Sequence, residues 1–131
     1  LEATEEAEGV VVCPSNPIVS IGTILAVRGV REALRRTAAT VVGISPIVGG
    51  KPVKGPADKL MEGLGLEVSA YGVAQLYQDF LDWFVIDEVD GGLKERIEGL
   101  GIKVVVTNTI MRTLEDKVRL AELVVDLIRG Q

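Results

Sequence analysis

The sequence predicts an α/β fold, three-layer and Rossmann-like, with a mainly parallel sheet of about four strands flanked by helices in a single domain over residues 1–131. Two observations predict it. Four short apolar runs, at residues 10–12, 41–44, 83–86 and 103–106, have the composition and length of buried strands. Helical patterns fill the segments between and after them, and strands alternating with helices at these lengths build βαβ units wound right-handedly onto a parallel sheet. With 131 residues, 47% of them hydrophobic, one chain can bury a real core.

Residues 1–8 carry an apolar-acidic pattern with no initiator Met and no N-cap, so they read as the last turns of a helix and the chain as the C-terminal part of a longer one. The strand at 10–12 runs into Cys13-Pro14-Ser15-Asn16-Pro17. A helix over 18–27 then sets Ile18, Ile21 and Leu25 on one face, and residues 28–36 continue helically. There Val27, Val30 and Leu34 share one side, with Arg28, Arg31 and Arg35 on a solvated one. The strand at 41–44 empties into a Gly- and Pro-rich loop, and residues 57–63 form a short helix closed by Gly63 and Gly65. Ser69 caps a helix bearing Val73, Leu76, Tyr77 and Phe80, and the strand at 83–86 ends at Asp87. Asp90-Gly91-Gly92 is a turn in which Asp90 caps a helix through Leu100. Asn108 and Thr109 stand at the carboxyl end of the strand at 103–106. Thr113 and Asp116 make a variant capping box for a last helix with Leu114, Val118, Ala121, Val125 and Ile128 as its buried stripe and Gly130 as its end.

Composition excludes more chemistry than it offers. Without histidine, no Ser-His or Cys-His pair and no His-containing metal site forms within the chain. The single cysteine, Cys13, cannot make an internal disulfide, reads as a small apolar residue at a strand end, and fits a reducing cytoplasm. No run reaches the roughly 20 apolar residues of a spanning helix, and the acidic opening is unlike a signal peptide, so no membrane partner is expected. The net charge of −5 argues against nucleic acid. Its distribution is informative: residues 11–56 hold six basic residues against Glu32 alone, a local +5 in an acidic protein. That favours a small anionic ligand.

The basic segment coincides with two loops of similar chemistry. After the strand at 41–44 come Ser45-Pro46, Gly49-Gly50, Lys51, Lys54 and Gly55-Pro56. Glycines admit close backbone approach, prolines hold one shape and lysines add charge, which suits phosphate, although two solvated lysines on a surface turn give the same pattern. The spacing is not that of a Walker loop. The loop after 10–12, with Ser15, Asn16, Pro17 and Ser20, repeats the chemistry. In parallel α/β sheets ligands bind outside the carboxyl ends of the strands, where both loops fall.

Taken in order, CPSNPIVSIG at 13–22, SPIVGG at 45–50, KGPADK at 54–59 and EVSAYGVAQLYQDFLDWFVID at 67–87 resemble the 2-phospho-L-lactate transferase family over essentially the whole chain. Thr23 stands where that family's SIGPIL run has proline, and the Gly-Gly-Thr-Gly turn with which its members begin has no counterpart here. The resemblance implies transfer of a 2-phospholactyl (or phosphoenolpyruvyl) group from a guanosine-diphosphate-linked donor to 7,8-didemethyl-8-hydroxy-5-deazariboflavin, with release of GMP and Mg²⁺ as cofactor, in coenzyme F(420) biosynthesis. Such chemistry asks the protein for phosphate positioning and charge neutralisation. The expected phosphate and nucleotide ligands are Ser15, Asn16 and Ser20, with the amides that open the helix at Ile18, and then Ser45, Gly49, Gly50 and Lys54. Asp87 is the expected Mg²⁺ ligand, directly or through water, unless it is a turn-capping carboxylate; Asp58 stabilises the first turn of its helix. A second reading is a nucleotide-sugar-binding regulatory protein of the related gluconeogenesis-factor type, and a third an inactive structural fragment. The 131-residue chain alone is expected to fold, to lack catalysis, and to self-associate as a homo-oligomer through an exposed sheet edge.

Overall fold

The computed structural model describes residues 8–53 and 55–130. In chain order they form β1 (Gly9–Val12), α1 (Ile21–Ala26), α2 (Val30–Arg36), β2 (Thr40–Ile44), β3 (Ile47–Val48), β4 (Lys51–Pro52), α3 (Ala57–Gly63) and α4 (Ala70–Tyr77). Then come β5 (Trp83–Asp87), a 3₁₀ turn (Glu88–Leu93), α5 (Lys94–Glu98), β6 (Lys103–Thr107) and α6 (Leu114–Arg129). The four expected strands are all present and pair in parallel in the order β1-β2-β5-β6, while β3 and β4 make a separate antiparallel hairpin. This is the mainly parallel, Rossmann-like α/β arrangement that the sequence predicts.

The strands alternate between two cores because successive side chains point to opposite faces. Val41, Phe84, Ile86 and Val104 meet Leu34 of α2, Met61 of α3, Val73 and Tyr77 of α4, and Ile97 of α5. Val42, Ile44 and Val85 meet Leu120 and Val124 of α6 on the other side. The strand order never reverses, so right-handed crossovers place every connecting helix on one face. The opposite face is left to α6, which follows the last strand and lies back across the sheet as far as Gly9, where Ile128 sits against the backbone.

Several elements differ from expectation for local reasons. The helix expected over 18–27 starts only at Ile21, because the Asn16 carbonyl oxygen Oδ1 accepts the Ile18 and Val19 amides and the Asn16 backbone oxygen accepts those of Ser20 and Ile21. The helical continuation over 28–36 is broken at Gly29, whose φ of 89° separates α1 from α2. Arg31 is not merely solvated: it pairs with Asp79, donates to the Leu76 carbonyl and lies over the Phe80 ring. Asp90 caps no helix; Asp87 caps the 3₁₀ turn by accepting the Val89 amide, and the helix expected through Leu100 is the short α5.

The last helix keeps its ends and changes its face. Thr113 and Asp116 form the expected capping box and Gly130 ends α6 at φ 78°. Its buried residues are Leu120 and Val124, with Ile128 half-buried, whereas Leu114, Val118, Ala121 and Val125 are exposed. The apolar surface of α6 is wider than the stripe that this sheet covers. The expected helix over residues 1–8 falls almost wholly outside the described residues.

The close packing of α4 supplies a test. A Cβ on Gly72 would lie 1.9 Å from the Glu67 carbonyl oxygen, backbone that cannot move without shifting the helix start, while one on Gly63 meets nothing within 4 Å. Gly72→Ala should therefore lose roughly 2–3 kcal/mol or more in urea unfolding, and Gly63→Ala should stay within about 1 kcal/mol of the parent or gain slightly.

Candidate functional site

The first loop enters the site through proline and asparagine. Pro14 and Pro17 restrict the chain after β1, and the Asn16 side chain closes a turn on the Ile18 and Val19 amides at 2.9 and 3.1 Å. Those amides, expected to meet a phosphate, are thus taken up inside the loop. The turn leaves the hydroxyls of Ser15 and Ser20 facing a pocket of about 410 Å³, closed on its far side by Gly55 and Pro56. Parts of both predicted loops do meet here.

The remainder of the second loop is built for structure. Ser45 is 1% exposed and its hydroxyl exchanges hydrogen bonds with the Ile47 backbone at 3.0 and 3.2 Å, turning it away from any ligand. Gly49 and Gly50 form the tip of the β3-β4 hairpin with φ of 60° and 80°, the paired positive values that a two-residue hairpin turn demands. The Gly49 amide donates to both carboxylate oxygens of Asp90 at 3.2 Å. Lys51 is exposed on β4. Lys54 lies outside the described residues. Asp58 stands in the first turn of α3, as expected.

Asp87, at the carboxyl end of β5, is 5% exposed. One oxygen accepts the Thr109 amide at 2.9 Å and its hydroxyl at 3.1 Å, and the other accepts the Val89 amide at 3.1 Å. Burial pushes its carboxyl up, yet the Thr109 and Val89 donors outweigh it and hold it below the usual aspartate value. Asp90, 7% exposed, goes the other way: burial raises it, the Gly49 amide opposes, and the neighbouring Asp87 charge adds to the rise. Among the described residues no group of three or more His, Cys, Asp or Glu is placed to hold a metal ion. With three protein donors on its carboxylate, Asp87 does not fit a direct Mg²⁺ ligand; it fits the turn-capping carboxylate.

The model of the family described as "2-phospho-L-lactate transferase CofD" matches residues 1–123. The chain belongs to that family. It is 49% identical over 127 residues to the 2-phospho-L-lactate transferase of Methanosarcina acetivorans, covering 97% of this chain and 41% of the relative. It is 46% identical over 126 residues to that of Methanocaldococcus jannaschii, covering 96% and 39%. A phosphoenolpyruvate transferase of Streptomyces griseus is 50% identical over 104 residues, 79% of this chain and 33% of the relative. The chain thus spans about two fifths of the length of the curated relatives it matches. Among solved structures, protein BH3568 of Bacillus halodurans superposes with a TM-score of 0.61 at 16% identity, over 95% of this chain and 45% of that one, which shows the shared fold.

Within this CofD-family chain, Asp90 and Thr109 are the site-shaping residues that sequence reasoning undervalued. Asp90 looked like a helix cap, and only its distance to Gly49, 41 positions away, reveals the tie. The signal available was the pair of acids flanking one turn, Asp87 and Asp90. No helix among the described residues is long and apolar enough to cross a membrane.

The two aspartates should titrate with opposite sign. Asp87, depressed in the folded chain, contributes stability fully above about pH 4 and loses it as pH falls through its lowered value. Asp90, raised, opposes folding once ionised, so its contribution is lost as pH rises from about 4 through its raised value. Asp87→Asn should cost about 1–3 kcal/mol at neutral pH, because an amide cannot accept on both sides, and should flatten the acid limb. Asp90→Asn should be tolerated and remove the opposing slope. Urea unfolding followed between roughly pH 2 and 7 checks both.

Proposed function

We propose that this chain is the phosphate-holding part of a transferase that moves a 2-phospholactyl or phosphoenolpyruvyl group from a guanosine-diphosphate-linked donor to 7,8-didemethyl-8-hydroxy-5-deazariboflavin, releasing GMP, in coenzyme F(420) biosynthesis. The observation that carries it is the pocket where the Ser15 and Ser20 hydroxyls face Gly55-Pro56 at the carboxyl end of the sheet, in a chain matched to the family over residues 1–123. The relatives' names, a phospholactate transferase and a phosphoenolpyruvate transferase, agree on a small phosphorylated acid and leave the donor's acyl part as the variable.

Chemically the pocket does what phospho-group transfer requires. Hydroxyl donors hold nonbridging oxygens, the basic segment offsets their charge, and the prolines keep the loop from reorganising as charge moves. Ser15 and Ser20 are the proposed donors to phosphate, with Lys54 as the point charge. Asn16 acts by holding the turn that aims them, and Asp87 and Asp90 act through the backbone. Mg²⁺ enters the proposal as the counter-ion of the donor's diphosphate, with no ligand assigned to it among the described residues. The reading includes a cytoplasmic location, and no turnover by the 131-residue chain alone.

The test uses the Methanosarcina acetivorans relative with its matched stretch replaced by this chain, incubated with the deazaflavin acceptor, the guanylylated lactyl donor and Mg²⁺ and read by mass spectrometry. A phosphodiester product and GMP are expected. Ser15→Ala with Ser20→Ala, and separately Lys54→Ala, should each weaken GDP binding by about 10-fold or more, the worth of hydrogen bonds to a charged group. No product together with tight binding of uridine-diphosphate sugars would overturn the reading in favour of a nucleotide-sugar sensor.

A further inference from the structure

One side of the sheet is covered and the other is not. All connecting helices lie on one face, and the other carries only α6. Parallel sheets occur almost only with both faces covered, their strands reading as continuous apolar runs. β1 reads that way, Gly-Val-Val-Val, with no charge, proline or bulge of the kind that blunts a natural edge. Yet β1 is an edge strand here. The Thr40 amide donates to the Glu8 carbonyl, so by the alternation of a parallel ladder Gly9 and Val11 turn their main-chain groups to the unpaired side. The Val11 side chain is 41% exposed.

An apolar groove of about 320 Å³ runs beside that edge on the α6 face. Val11, Cys13, Met111, Ala121 and Val125 line it. The groove therefore takes in Ala121 and Val125, two residues of the α6 stripe that the sequence marks for burial and this sheet leaves exposed. Edge and groove have one common solution. A strand added parallel to β1, wound onward in the direction away from β2, has its right-handed crossover helix on the face opposite the existing connections. That is the α6 face, where an apolar helix would close the groove while its strand takes up the Gly9 and Val11 main-chain groups.

We propose that β1 is an interior strand of a larger, doubly wound sheet, and that its edge and the α6 groove are covered by a parallel strand and an apolar-faced helix from the additional length by which family members exceed this chain. The length is there, since the chain covers 41% of the Methanosarcina acetivorans relative and 45% of the Bacillus halodurans structure with which it shares its fold. The order of winding then reverses at β1. Ligands of doubly wound sheets bind at such a reversal, and the Ser15-Ser20 loop stands at the carboxyl end of that same strand. The inference rests on sheet geometry and is independent of which group is transferred.

Hydrogen exchange on the chimera with the Methanosarcina acetivorans relative tests it, with β5 as the internal standard. If β1 is interior, the peptide over residues 9–13 exchanges within roughly 10-fold of the β5 peptide, and this persists over a roughly hundred-fold dilution. Exchange roughly 100-fold faster than β5 would overturn the proposal, and protection that vanishes on dilution would overturn it in favour of a second copy of the chain. Val125→Asp should lower the chimera's Tm by roughly 5 °C or more; no change would count against burial of the groove. Should the chimera not fold, the peptides aligned with residues 9–13 and 83–87 in the unaltered relative give the same comparison.

Discussion

The Asp87 carboxylate ties together three segments that no covalent constraint holds. It ends β5, caps the 3₁₀ turn through Val89, and fastens the chain after β6 through both donors of Thr109. A buried carboxylate is costly unless its oxygens are satisfied, so these hydrogen bonds must form together or the strand end must open. Once the turn is set, Asp90 is aimed at Gly49 and anchors the hairpin. The hairpin returns the chain through the Val53 amide to the Pro46 carbonyl, and from there Gly55 and Pro56 reach the Ser15-Ser20 pocket. The pocket's far wall thus depends on a carboxylate that need not touch a ligand.

The division of labour inside the pocket follows from hydrogen-bond accounting. An amide already bonded to Asn16 is a poor phosphate donor, because engaging a ligand would orphan the side chain that shapes the loop. Hydroxyls without a fixed partner carry no such conflict. This is why residues of like type in the two loops have unlike roles: Ser15 and Ser20 face the pocket, whereas Ser45 is 1% exposed and bonded to Ile47. Electrostatics adds the reason for the placement. Two acids sit at the end of β5, and the basic residues precede them in the chain, so an anion is better accommodated beside β1 than beside β5.

Much of this was legible in the sequence, because local physics decides it. Four valine- and isoleucine-rich runs became the four parallel strands, the Thr113-Asp116 box and Gly130 bounded α6, and Ser69 capped α4 by accepting the Gly72 amide. Caps, turns and strand patterns need only neighbouring residues, and the spacing of those residues is in the sequence. The family was legible for a related reason, since its motifs run in order along the chain. What escaped were pairings across long separations: Asp90 with Gly49, Asp87 with Thr109, and Arg31 with Asp79.

The sequence by itself determined the α/β class, the strands, the helix ends and the two loops at the strands' carboxyl ends. The tertiary structure alone decided the strand order, which parts of the two loops share a pocket, and which face of α6 is buried. The reason is physical. Periodicity states how much apolar surface an element carries, but which part is covered depends on what the fold brings against it. Here the sheet covers Leu120 and Val124 and leaves Val118 and Val125 exposed.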